Sequence, residues 1–406
     1  MLINHLNHAL LEREGQALRR HRRSTRSPCS PQLELETDGG NARALLAFCS
    51  NDYLGLASHP ALVEALAQGA RRWGVGSGAS HLVSGHSRAH DVLEEQLARW
   101  LSPAIPNARV LTFSTGYMAN LALLTALADG NTTIFSDQLN HASLIDGARL
   151  AKAKVQIYPH CDLASLHQQL LVCESRLKLI VTDAVFSMDG TIADLSALLE
   201  LAQQHDAWLV VDDAHGFGVL GPKGQGSLAH FDLHSERIVY MGTLGKAAGV
   251  GGAFVAAHPT IVEWLLQVGR PYIFTTAMPP AQAHALSASL DLISGEEGHQ
   301  RRCHLQGLIT QLRTGLQALI DRHPDLGWQL APSQTAIQPL VIGSNAHALR
   351  IAASLEQKGL WVPAIRPPTV PEGTARLRVT LSAAHDPGHI ETLLTALEDS
   401  ANEVGT

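Results

Sequence analysis

The sequence predicts an α/β protein, with a parallel sheet covered on both faces by helices and a smaller α+β unit after it. Three observations carry this. Between Arg109 and Ala256, short apolar runs alternate with amphipathic helical stretches, the pattern of strands joined by crossover helices. Polar and glycine-rich clusters follow the ends of those runs, where open parallel sheets bind their ligands. Beyond residue 300 the order changes to one long amphipathic helix followed by short strands and two more helices.

Taken in order, residues 1–24 carry Leu2, Leu6, Leu10, Leu11 and Leu18 at roughly helical spacing before the basic cluster Arg19–Arg20–His21–Arg22–Arg23. Ser27–Pro28 and Asp38–Gly39–Gly40–Asn41 are turn signals around a hairpin, and Leu45–Phe48 is a short strand. Helices are expected over His59–Trp73 and Arg88–Leu101. The seven strands expected next are Arg109–Phe113, Thr132–Phe135, Val155–Tyr158, Leu177–Thr182, Trp208–Val211, Ile238–Met241 and Ala253–Ala256. Helices near Tyr117–Leu127, Ala142–Ala151, Leu163–Cys173 and Leu195–His205 lie between them. The long helix Gln300–Arg322 then leads to Ala336–Val341, a helix over His347–Lys358, strands at Leu360–Ile365 and Arg376–Leu381, and a last helix over Pro387–Ser400.

Composition narrows the function. A chain of 406 residues can bury a large core in two or three domains, and 45% hydrophobic with 17% charged residues is ordinary for a soluble globular protein. With 37 acidic against 30 basic residues the molecule is mildly acidic, which argues against a general nucleic-acid role. The five cysteines, Cys29, Cys49, Cys161, Cys173 and Cys303, have no CxxC spacing. That points to reduced thiols in a cytoplasmic protein and against a zinc site. No apolar run reaches membrane-spanning length, and the N-terminus lacks a signal-peptide pattern.

The chemistry gathers after the strands. Asp212 directly follows the buried-type run Trp208–Val211, and a carboxylate there needs a cationic partner. His215 stands three residues on, and Lys246 follows Asp212 by 34 residues within Gly242–Thr243–Leu244–Gly245–Lys246–Ala247–Ala248–Gly249. Alone, this loop suits a solvated lysine as well as an amine nucleophile. It is not a Walker loop, because Tyr240 and Ala247 stand where that loop needs glycine and a hydroxyl. Asp-x-x-His followed by a lysine among small residues matches what pyridoxal phosphate (PLP) needs: an acid for the pyridinium nitrogen, a donor for the phenolic oxygen and a Schiff-base lysine. Ser114–Thr115–Gly116–Tyr117 opens a helix that could offer amides to a phosphate, Thr243 adds a hydroxyl, and His141 is flat enough to stack on a ring.

From about residue 10 to residue 400 the chain resembles the α-oxoamine synthases, PLP-dependent acyl-CoA:amino-acid C-acyltransferases with the aspartate aminotransferase fold. The carriers are Ser50–Asn51–Asp52–Tyr53–Leu54–Gly55–Leu56, Gly76–Ser77–Gly78–Ala79–Ser80 with Gly85 and His90, and Phe186–Ser187–Met188–Asp189–Gly190. Val211–Asp212–Asp213–Ala214–His215–Gly216, Gly242–Lys246 and Ile365–Arg366–Pro367–Pro368–Thr369–Val370–Pro371 complete them. The last run resembles the branch that joins L-alanine to a pimeloyl thioester, pimeloyl-CoA or pimeloyl-acyl carrier protein, more than the glycine-using synthases and ligases.

The resemblance implies a large domain with a mostly parallel seven-stranded sheet over residues 46–290. It also implies an N-terminal helix and hairpin over 1–45 and a small C-terminal α+β domain over 291–406. It implies PLP on Lys246, with Asp212 at the ring nitrogen, His215 and Ser187 at the phenolic oxygen, and His141 over the ring. Gly116, Tyr117 and Thr243 would hold the phosphate. Arg366, assisted by Asn51, would take the amino-acid carboxylate, and Arg19 and Thr369 would contact the acyl substrate. A homodimer with its active site at the interface follows, with Thr275 or Thr276 reaching the partner's phosphate. A non-catalytic subunit of the same fold would lack the lysine or its aspartate, and this chain has both.

Overall fold

Seven strands form the main sheet, in the spatial order Arg109–Phe113, Ala253–Ala257, Ile238–Thr243, Trp208–Asp212, Leu177–Asp183, Thr132–Asp137 and Lys154–Tyr158. The coordinates are a computed structural model describing residues 1–16, 18–37 and 40–404. The sheet is mostly parallel, and Ala253–Ala257 runs antiparallel to both neighbours. Its strands are apolar on both sides because both sides are covered. Ile180, Leu209, Val211 and Tyr240 enter one core, while Leu179, Val181, Val210 and Val239 enter the other. Gly242 exists for close packing, since a Cβ there would sit 2.5 Å from the Phe254 ring.

The register places the site. Asp183 lies beside Asp212, and Asp212 beside Met241, so two carboxyls end adjacent parallel strands. The lysine loop turns back at Gly249, where φ is +71° and a Cβ would meet the backbone of Leu56 at 2.6 Å. Only glycine fits that combination. It docks the lysine loop on the Asp52–Leu56 turn.

Two smaller sheets flank the main one. The hairpin Gln32–Glu36/Ala42–Ala47 pairs with Leu360–Trp361 from the C-terminal part, so this sheet spans both sides of the boundary expected at residue 45. A four-stranded antiparallel sheet comprises Gln329–Leu330, Ile337–Gly343, Ala375–Thr380 and Ala364–Ile365. The strand expected over Leu360–Ile365 is therefore two strands in two sheets, parted at Val362–Pro363, where proline cannot continue a ladder.

Other elements depart from expectation. The first helix is Leu2–Gly15 and stops short of the arginine cluster. It buries none of its residues, so no packing offsets the poor helix propensity of Gly15 or the repulsion among the arginines that follow. Helices Pro259–Val268 and Pro280–Ser294 were not foreseen. The second is alanine-rich and packs closely enough on the helix Pro60–Trp73 that a Cβ on Gly69 would meet the Ala281 carbonyl at 2.8 Å. Ala17, Asp38 and Gly39, which belong to the expected first helix and turn, lie outside the described residues. Among the described residues, no helix is long and apolar enough to cross a membrane.

Candidate active site

Gly116, Tyr117, His141, Ser143, Asp183, Asp212, Ala214, His215, Met241, Thr243 and Lys246 line one cavity of about 200 Å³ at the carboxyl ends of the main strands. Asp212 is buried at its strand end, its Oδ1 accepting from the Ala214 amide at 2.9 Å and its Oδ2 from Asn120 Nδ2 at 2.7 Å. Its neighbour Asp213 is spent on structure: it accepts from the Ser227 amide and hydroxyl, both at 2.6 Å, and from the Tyr240 hydroxyl at 2.7 Å. Of the two adjacent aspartates, Asp212 is the one presented to the cavity.

Lys246 Nζ lies 2.8 Å from His215 Nε2. Burial pushes the amine down to about 8, against the opposing pull of Asp212 and Asp183. Burial, reinforced by the Lys246 charge, also holds His215 well below the usual histidine value, so its ring is neutral. His215 Nδ1 meets the Tyr53 hydroxyl at 2.5 Å, and that hydroxyl reaches Asn51 Oδ1 at 3.2 Å. Asn51 Oδ1 also accepts from Arg378 Nη2 at 3.2 Å, while Arg378 Nε donates to the Ser187 carbonyl at 2.6 Å. Asn51 Oδ1 is an acceptor only, so it fixes the direction of the chain. Tyr53 donates to Asn51, His215 donates from Nδ1 to Tyr53, and Nε2 turns its lone pair to the amine.

A second chain sets His141. Asn120 Nδ2 donates to Ser143 Oγ at 2.9 Å as well as to Asp212. Ser143 Oγ is then left to donate to His141 Nδ1 at 2.7 Å, joined by the Ser143 amide at 3.3 Å. With Nδ1 accepting, the His141 proton sits on Nε2, and burial lowers the ring's basicity so that it stays neutral. The His141 amide is held by Asp183 Oδ2 at 2.6 Å. Burial, reinforced by the neighbouring Asp212, raises Asp183 well above the carboxylate range.

The donor set fits PLP. The first two amides of the helix Gly116–Leu127 open on the cavity, since Thr115 Oγ1 caps the third, that of Met118, at 3.2 Å. A Cβ on Gly116 would meet nothing nearer than Met241 Cε at 3.6 Å, so the floor there is open. Thr243 adds a hydroxyl, Asp212 a buried carboxylate and Lys246 a weakly basic amine around the same space.

The substrate residues lie apart. Arg366 and Thr369 line a second cavity of about 270 Å³ with Arg13, Leu18 and Arg20, and the two cavities share no lining residue. Arg19 is exposed and pairs with Glu14 at 2.8 Å; it does not line that cavity, whereas Arg20 does. Ser187 lies on the loop after the strand Leu177–Asp183, outside the lining of the lysine cavity. Thr275 and Thr276 border a narrow gap beside Ser114 and His81. Sequence reasoning missed Asn120, Asp183 and the role of Tyr53. Asn120 was findable as the one polar residue of an otherwise apolar helix middle, and Asp183 as a strand-end aspartate like Asp212.

The family model for class I and II aminotransferases matches residues 43–397, and the chain belongs to that family. More particularly, the chain is 67% identical over 404 residues to the 8-amino-7-oxononanoate synthase 2 of a Polaromonas species, covering 100% of both chains. It is 64% identical over 407 residues to the 8-amino-7-oxononanoate synthase of Leptothrix cholodnii, again covering 100% of both. Among solved structures, a serine palmitoyltransferase holding PLP is similar with a TM-score of 0.89 at 27% identity, over 100% of this chain and 99% of that one. The 8-amino-7-oxononanoate synthase of Francisella tularensis gives 0.74 at 29%, over 89% and 99%.

Proposed function

We infer that this chain is a PLP-dependent acyltransferase, an 8-amino-7-oxononanoate synthase of biotin biosynthesis. It condenses L-alanine with a pimeloyl thioester, pimeloyl-CoA or pimeloyl-acyl carrier protein, releasing 8-amino-7-oxononanoate, carbon dioxide and the free thiol. The single observation that carries this is the cavity itself, where a buried, weakly basic lysine faces a strand-end aspartate beside two helix-start amides. Full-length identity to relatives of that name supports the substrate choice.

PLP, when bound, supplies an aldehyde that condenses with amines and a ring that accepts the electron pair of a carbanion. Lys246 would hold it, Asp212 would pair its ring nitrogen, and His215 and Ser187 would hydrogen-bond its phenolic oxygen. Gly116, Tyr117 and Thr243 would hold its phosphate, with His141 over the ring. Lys246 Nζ takes the α-proton of alanine: at about pH 7 an amine near 8 is ~10% free base, against ~0.03% for an ordinary lysine. In the cofactor-free chain His215 Nε2 is the partner of that amine. His141, with its proton on Nε2, donates to the thioester carbonyl as negative charge grows there. Arg366, assisted by Asn51, would grip the alanine carboxylate with two parallel N–H bonds. Thr369 and the basic segment at Arg19 and Arg20 would meet the acyl carrier.

We propose a cytoplasmic homodimer with the site at its interface. Leu82, Val83 and Phe274 are exposed next in the chain to His81 and Thr275, which line the narrow gap, and the helix Leu2–Gly15 buries no residue within its own chain. The function is tested by thiol release from pimeloyl-CoA with L-alanine, glycine and L-serine in turn. Release with L-alanine alone, lost in Lys246→Ala, is expected; faster release with glycine and a shorter acyl thioester would overturn the substrate assignment.

A further inference from the structure

Outside the described cavity, a thiol, an imidazole and a carboxylate converge on the same carboxyl edge of the sheet. Asp137 ends one strand and pairs in register with Tyr158, the end of the edge strand, so His160 and Cys161 follow directly beside it. His160 Nδ1 lies 3.1 Å from Asp137 Oδ1, Cys161 Sγ lies 3.7 Å from the same Nδ1, and one ligand atom from each residue falls within 4.8 Å of the others. We propose that Asp137, His160 and Cys161 form a binding site for one divalent transition-metal ion of the zinc class, with solvent as the fourth ligand.

Two of the three ligand separations are near the edges of a tetrahedron. Zinc–ligand bonds of about 2.3 Å to sulfur and about 2.0–2.1 Å to nitrogen or oxygen give S···N and N···O edges of about 3.6 and 3.4 Å. The observed separations are 3.7 and 3.1 Å, but Sγ also lies 3.6 Å from Nε2 and so sits over the ring face; binding requires the exposed Cys161 to swing its sulfur into the ring plane at Nδ1. The Asp137 side chain is 1% exposed and already fixed, accepting from the Leu139 amide at 2.8 Å and the Cys161 amide at 2.8 Å. The His160 ring is held edge-on by Phe186 at 4.3 Å. Cys161 sits in the left-handed region at φ +55°, which a non-glycine residue adopts at a cost and which the Asp137 bond to its amide sustains. That turn brings sulfur and imidazole of adjacent residues to one point. On binding, the thiol and the imidazole nitrogen each release a proton to solvent and the ion takes their place.

The other histidine cluster does not compete. His81 Nδ1 and His86 Nδ1 are 2.8 Å apart, well short of the ~3.4 Å edge of a tetrahedral site, and His90 spends both nitrogens on Ser87 and the Met278 carbonyl. A mixed site assembled from two strand ends leaves no CxxC spacing, so the cysteine pattern gave no sign of it.

The test is titration of the PLP-loaded enzyme with Co²⁺ under a phosphine reductant, then equilibrium dialysis against Zn²⁺. One ion per chain is expected, with four-coordinate cobalt bands at the red end of the spectrum, clear of the cofactor, and a sulfur charge-transfer band. Cys161→Ser removes the charge-transfer band and weakens Zn²⁺ binding by about tenfold or more, while Cys303→Ser, which alters an exposed thiol beside His299, leaves both unchanged. His160→Gln serves as a second variant with the same loss. No stoichiometric binding, or an unchanged band in Cys161→Ser, overturns the proposal. Neither readout depends on turnover, so failure here leaves the synthase assignment standing.

Discussion

The depressed basicity of Lys246 has a measurable counterpart in stability. The amine falls from the ordinary 10.5 to about 8 mainly through burial, so the folded apo-protein disfavours the ammonium that the unfolded chain carries freely. At about 1.4 kcal/mol per pKa unit this costs ~3 kcal/mol below pH 8, where both states are protonated. Between about pH 8 and 10.5 the unfolded chain binds more protons than the folded one, so this contribution to stability rises with pH and the penalty disappears. Lys246→Met removes the titration and keeps the side-chain volume. It also removes the hydrogen bond to His215, whose change between ammonium and free amine is already contained in the shifted basicity of Lys246. Urea unfolding of cofactor-free protein should therefore show Lys246→Met gaining ~2 kcal/mol or more on wild type at about pH 7, relative to their difference at about pH 10. A difference that stays constant over this range would mean that Lys246 titrates as a solvated lysine, and the proton transfer assigned to it would fail.

Asp212→Asn should lower kcat roughly 10²–10³-fold with the fold intact, measured by turnover and circular dichroism, since a neutral amide cannot hold the ring nitrogen protonated. Tyr53→Phe leaves buried His215 Nδ1 without its 2.5 Å partner; unfolding should show a loss of about 1–3 kcal/mol, and kcat should fall with KM for alanine little changed. Asn120→Ala should impair His141 and Asp212 together, so its effect on kcat and that of His141→Ala should be less than additive in a double-mutant cycle. Val83→Asp, at a site 79% exposed in the single chain, should shift the species seen by sedimentation toward monomer if that surface lies in the dimer interface.

Most of the cavity was legible because its residues follow apolar strands, and parallel strands deliver their ends to one edge. Lys246, Asp212, His215, His141, Thr243, Gly116 and Tyr117 meet there for that reason. What escaped is what depends on register and on side-chain hydrogen bonds. Asp183 gains its place from lying beside Asp212 across a strand pair, and Asn120 from reaching two elements at once. The helix Pro280–Ser294 escaped because it is buried on several sides and lacks the polar face that gives a helix its period. In the basic cluster the arginines are the same residue type repeated, so only the folded backbone decides that Arg20 lines the second cavity and Arg19 pairs with Glu14.

The central claim is most directly tested by following isotope through the condensation. Purified enzyme with PLP, pimeloyl-CoA and L-alanine labelled at its carboxyl carbon should release labelled carbon dioxide and yield unlabelled 8-amino-7-oxononanoate. Alanine labelled at the methyl carbon should leave its label in that product, seen by mass spectrometry. Retention of the carboxyl label in an acylated product, or release of free thiol without new carbon–carbon bonding, would contradict the account.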